Sequence, residues 1–92
     1  MAADDAQDIR TPAEEDAATE AAVLNQLLTL HPIHITYDEL LREIAGESDD
    51  FARRDAIERA VRDLAAAGLL HRNENLVLPS RAALRFDELL GG

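Results

Sequence analysis

The 92-residue sequence contains no cysteine, no tryptophan and no lysine, and the first absence excludes both a disulfide and a thiolate metal centre. Tyr37, Phe51 and Phe86 are the only aromatic rings, too few to stack a run of single-stranded bases. Four glycines and three prolines are scattered along the chain, which rules out a glycine-rich phosphate cradle and leaves no linker between two domains. The longest apolar run, residues 64–70, falls far short of the ~20 residues that span a bilayer. The first ten residues carry acids instead of an apolar stretch, so no secretory signal is expected there. A cytoplasmic protein with no membrane contact is the expectation.

Charge of one sign is also scarce. The formal net charge is −10, and all nine basic residues are arginine. Together with the alanine richness, this matches the composition of GC-rich bacterial genomes. Residues 1–22 hold seven acids against Arg10, and residues 23–50 hold six against Arg42. Residues 51–85 reverse the balance, with seven arginines against four acids. A chain this acidic repels nucleic acid in general, so any phosphate contact must lie in that one positive stretch.

At this length a single domain is expected, burying roughly 60–65% of its unfolded surface and leaving little room for a deep catalytic pocket. Residues 1–10 have almost nothing to bury and are expected to be a disordered acidic tail, with the domain spanning 11–92. Asp4, Asp5 and Asp8, with Glu14, Glu15, Asp16 and Glu20, can attract a basic protein or fold over the arginines. Their plainer use is to keep the chain soluble.

Thr11-Pro12-Ala13-Glu14 has the residues of a capping box with proline at the first helical position, and predicts a helix to about Leu30. Ala17, Ala21, Leu24 and Leu28 form its expected apolar stripe, widened by Val23 and Leu27. His31-Pro32 ends it. Alternation in Ile33-His34-Ile35 predicts a short strand. A second box, Thr36 to Glu39, opens a helix through Ile44 that buries Tyr37, Leu40, Leu41 and Ile44. Ser48, Asp49 and Asp50 are each able to cap a third helix over about Arg53 to Ala67, with a prior turn around Phe51 left open, which buries Ile57, Ala60, Val61 and Leu64. Gly68 supplies its left-handed stop. Residues 69–72 and 76–78 are expected to form a hairpin around Asn73-Glu74-Asn75, with asparagine in the positive-φ position. Pro79 ends its second arm. Ser80 caps a last helix, burying Ala83, Phe86, Leu89 and Leu90 in part.

The resulting fold class is mainly α with a small β-hairpin, in the order helix, strand, helix, helix, strand, strand, helix. The segment RRDAIERAVRDLAAAGLLHR resembles the recognition helix and first wing strand of bacterial winged helix-turn-helix domains of the MarR-like transcription-regulator type. ITYDELLREIAG and LVLPSRAALRFDEL resemble the elements on either side. The resemblance covers residues 12–90 and implies a regulator that binds double-stranded DNA. It places Arg53, Arg54, Arg59 and Arg62 of the third helix, and Arg72, Asn73 and Asn75 of the wing, as the contacts. It also implies a homodimer, with Ala18, Ala22 and the terminal leucines as a seam, although core packing is their simpler use.

This chain departs from the pattern in two ways. The turn before the third helix is long and acidic, and acids lie among the reading arginines. Asp55–Arg59, Glu58–Arg62 and Arg59–Asp63 are all spaced for helical ion pairs, so the same arginines suit a plain solvated face. The alternative function is a noncatalytic protein-interaction module on the same scaffold. No cofactor, metal or enzymatic activity is expected. His31 and His34 lack further ligands nearby in sequence, His71 alternates outward on the wing, and Ser48 and Ser80 sit where helix caps belong.

Overall fold

The computed structural model describes residues 11–46 and 50–91, so the expected tail, together with Ser48 and Asp49, lies outside the described residues. It is mainly helical, with α1 (Pro12–Leu30), β1 (Ile35–Thr36), α2 (Tyr37–Ala45), α3 (Phe51–Ala66), β2 (Leu70–Asn73), β3 (Leu76–Pro79) and α4 (Arg81–Leu89). Both capping boxes form. Thr11 Oγ1 accepts from the Glu14 N–H at 3.1 Å and Thr36 Oγ1 accepts from the Glu39 N–H at 3.1 Å. In return each glutamate accepts from the backbone N–H of its threonine, at 3.2 and 2.9 Å.

The sheet holds three antiparallel strands in the order β1–β3–β2, one more than the expected hairpin. Ile35 pairs with Val77 and Thr36 with Leu76, which ties the hairpin to the start of α2. The expected strand at residues 33–35 is shifted toward Thr36. Ile33 follows a cis His31–Pro32 peptide bond, donates its N–H to the Leu30 carbonyl and stands 69% exposed.

Asn73 pairs with Leu76, so only Glu74 and Asn75 turn the hairpin. Glu74, not an asparagine, takes the positive φ, at 57°. The Asn75 carbonyl is occupied instead, accepting from the Tyr37 N–H at 2.8 Å. Pro79 closes β3 opposite Leu70, and the next N–H, that of Ser80, donates to the Leu69 carbonyl.

The core is aliphatic and draws on every layer, with α1 packing most extensively on α3. Ile57, Ala60, Val61 and Leu64 are buried on α3, as their spacing requires. Leu40 and Leu41 are buried on α2, while Tyr37 and Ile44 are half-buried against the same core.

On α1 the expected stripe is displaced. Thr19, Val23 and Leu27 point inward, Leu24 and Leu28 are half-buried, and Ala17 and Ala21 are exposed. An alanine-rich helix offers apolar atoms on several faces, so the larger Val23 and Leu27 take the interior, where they remove more area from water. Thr19 joins them because its hydroxyl donates to the Glu15 carbonyl at 3.0 Å and is not left unpaired.

The end of α3 satisfies the orphan carbonyls of its last turn. Gly68, at φ 83°, donates to the Ala65 carbonyl, and Leu69 donates to that of Leu64. This is the Schellman arrangement, in which the left-handed residue turns the chain back so that Leu69 packs against the core. On α4 only Ala83 is buried; Phe86, Leu89 and Leu90 are 61%, 66% and 71% exposed, contrary to the partial burial expected of them. The helix is short and lies at the margin, where one turn of contact exhausts the available core.

Candidate nucleic-acid interface

The cap of α3 is Asp50, whose Oδ1 accepts from the Ala52 and Arg53 N–H groups at 3.0 and 3.3 Å. The helix therefore starts at Phe51, taking the earlier of the two starts left open by the sequence, and Phe51 stands 84% exposed at its tip. With one side of α3 committed to the core, its remaining side chains fall into two flanks, one beside α1 and one beside the hairpin.

The α1 flank is acidic. Glu15, Asp16, Thr19, Asp50, Asp55 and Ala18 line a groove into which Arg53 and Arg59 project. Arg59 is fixed there. Its Nη1 lies 2.6 Å from Asp55 Oδ2 and its Nη2 3.4 Å from Asp16 Oδ1, so one guanidinium joins neighbouring turns of α3 and reaches across to α1. These side chains are about half exposed (43% for Arg59), and each pair contributes roughly 0–1 kcal/mol. The consequence for binding is larger, because the charge of Arg59 is balanced locally and is turned toward another helix. Of the three expected ion pairs on α3 only Asp55–Arg59 forms; among the described residues no ion pair joins Glu58 to Arg62 or Arg59 to Asp63.

The hairpin flank gathers residues from three elements around Tyr37. Glu58, Arg62 and Ala65 of α3, with His71 and Arg72 of β2, line a second groove with the Tyr37 ring. The Arg72 guanidinium carbon sits 4.6 Å from the centre of that ring, a cation–π contact worth about 0.5–1 kcal/mol at an exposed site. Burial raises the Tyr37 pKa above its ordinary value, the Glu58 carboxylate adds to the rise, and Arg72 and Arg54 oppose it. Glu58 and Arg72 also line the groove with the ring, whereas Arg54 acts on it only as a nearby charge. Asn75 and Arg72 border a smaller depression with Thr36 and Asp38, and Asn73 is exposed at the end of β2.

The seven residues singled out from the sequence are thus divided. Arg62, Arg72 and Asn75 border the Tyr37 face, with Asn73 at the end of the same strand as Arg72 and Arg54 felt by the ring only as a charge, whereas Arg53 and Arg59 belong to the acid-lined groove. Sequence reasoning assigned Tyr37 to the core and missed it as the hub of the face. Tyr37 meets Arg72 only because β1 pairs with β3 and β3 with β2, a register that no local pattern announces.

The remaining candidates are simpler. Ser80 is buried, and its Oγ accepts from the Ala83 N–H at 3.1 Å, which is the work of a cap. His31, His34 and His71 are exposed, and among the described residues no three His, Asp or Glu side chains are grouped so as to hold a metal ion. No described helix is long and apolar enough to cross a membrane. A scan against protein-family models, a search of curated proteins and a search of solved structures each returned no match for the chain.

Proposed function

We propose that this chain is a winged-helix protein that binds double-stranded DNA through the face shared by α3 and the hairpin, acting as a noncatalytic transcription regulator in the cytoplasm. The element order and the β1–β3–β2 sheet support the reading, since in a winged helix α3 enters the major groove while the hairpin follows the backbone. The observation that carries it is the grouping of Arg62 and Arg72, from two elements, in one groove with Tyr37. Arg62 projects from the C-terminal half of α3, and its fork can donate twice to guanine or to a phosphate. Arg72, steadied by the Tyr37 ring, suits a phosphate.

A second reading, a protein-interaction module, is favoured by one specific observation. Glu58 and Asp38 lie on the same face as these arginines, and the surrounding chain is strongly acidic. A basic or mixed-charge protein surface tolerates those carboxylates better than DNA does.

Titrating the full chain into genomic duplex fragments, over a series of salt concentrations, separates the two. DNA binding predicts affinity that falls steeply with salt. It also predicts about tenfold weaker binding for Arg62→Ala or Arg72→Ala, with Arg81→Ala, on the exposed side of α4, unchanged. Absence of binding at low salt overturns the DNA reading and leaves the interaction module.

A further inference from the structure

Two exposed side chains of α3 take no part in the core or in an ion pair among the described residues. Glu58 sits one turn from Arg54 and one turn from Arg62, spaced to pair with either, yet it is joined to neither. Its side chain instead lines the groove that holds Arg62, Arg72 and the Tyr37 ring. Phe51, at the first position of the helix, is the most exposed of the large apolar side chains. It keeps clear of the acid-lined groove, although Asp50, Ala52 and Arg53 on either side of it all line that groove. Residues seven apart fall on one side of a helix, so Phe51 and Glu58 share a line that Arg62 continues.

A carboxylate among arginines works against phosphate binding, and an apolar ring adds nothing to it. At base edges both have a use. In the major groove, a group that only accepts hydrogen bonds can be met only by the amino groups of cytosine and adenine. Cytosine suits it better, because adenine sets the N7 acceptor beside its amino group. The one apolar group offered there is the thymine methyl. We propose that Glu58 and Phe51 read bases, Glu58 accepting from a cytosine amino group and Phe51 covering a thymine methyl, while the neighbouring arginines hold phosphate or guanine. The ligand class is then a duplex that carries both pyrimidines at a fixed separation. Two helical turns, about 10 Å, part the two residues, which corresponds to roughly three base-pair steps when α3 lies along the groove. This rests on the nucleic-acid reading above and adds a sequence preference to it. The carboxylate that weighs against DNA in general thereby selects among duplexes.

Selection by the full chain from a duplex library with a randomised central segment tests the assignment. The enriched pool is expected to carry cytosine at one position and thymine about three steps away. With Glu58→Gln the cytosine is expected to give way to adenine, because an amide both donates and accepts at the adenine edge. With Phe51→Ala the thymine preference is expected to vanish. Both side chains lie outside the core, so helical circular dichroism should be unchanged in either variant. In a fixed duplex of the selected sequence, uracil in place of that thymine removes only the methyl group. The exchange should weaken the parent about fourfold and Phe51→Ala not at all. A variant that leaves the base at its position unchanged removes that residue from the readout. Salt-dependent binding with no positional preference overturns the inference and leaves the DNA reading standing. Failure to bind any duplex at low salt overturns both.

Discussion

At Glu74 the backbone adopts a left-handed conformation that costs an L-residue free energy and costs glycine almost none. Among the described residues its carboxylate has no ion pair, and the residue is exposed. Glu74→Gly is therefore expected to stabilise the protein by about 0.5–1 kcal/mol, read as a raised urea midpoint with an unchanged slope. Glu39 bears on pH. The Thr36 N–H and hydroxyl hold its carboxyl below the ordinary value, so the folded chain favours the ionised form. That contribution is fully present above the unfolded pKa and is lost as pH falls through the lowered folded one. Glu39→Gln should be less stable than the parent at neutral pH, and the gap between their urea midpoints should close in acid; a gap that is constant with pH would contradict the capping geometry. The capping boxes were legible because their partners sit three residues apart. The left-handed residue was not, because asparagine is the usual occupant and the strand register, which selects Glu74, is a long-range property.

Among the elements, α3 is the best determined by its own sequence and α1 the least. Ile57, Ala60, Val61 and Leu64 share one side with charged residues opposite, so a single inward orientation satisfies them. Leu64, 4% exposed, should cost about 2–5 kcal/mol on replacement by alanine. Ile33→Ala, at an exposed site beside α1, should stay within about 0.5 kcal/mol, and chemical denaturation of the two variants checks the contrast. On α1 the alanines permit two orientations, and tertiary contact with α3 decides between them. Similarly, α4 carries an apolar pattern that helical spacing alone assigns to a core. Phe86, Leu89 and Leu90 nevertheless face outward, and Ala83 is the one fully buried side chain of the helix.

For the whole molecule, the division of the arginines decides the strength of any nucleic-acid contact. With Arg59 engaged by Asp55 and Asp16, the hairpin flank offers Arg62 and Arg72 in the Tyr37 groove and Arg54 within electrostatic reach of the ring. One phosphate per guanidinium gives a slope of log affinity against log salt of about −3. Arg59→Ala should leave that slope unchanged, and a slope that falls by about one in this variant would place Arg59 at the phosphates. Charge segregation along the sequence correctly pointed to residues 51–85 as the sole positive stretch. It could not separate the two flanks of α3, since Asp16 approaches Arg59 only through the packing of distant helices.

The bond from the Tyr37 amide to the Asn75 carbonyl, together with the two-residue β1 ladder, leaves the hairpin without freedom to swing on its own. A load on the turn is therefore passed directly to the opening of α2, and the hairpin is held as a fixed edge, not as a flap.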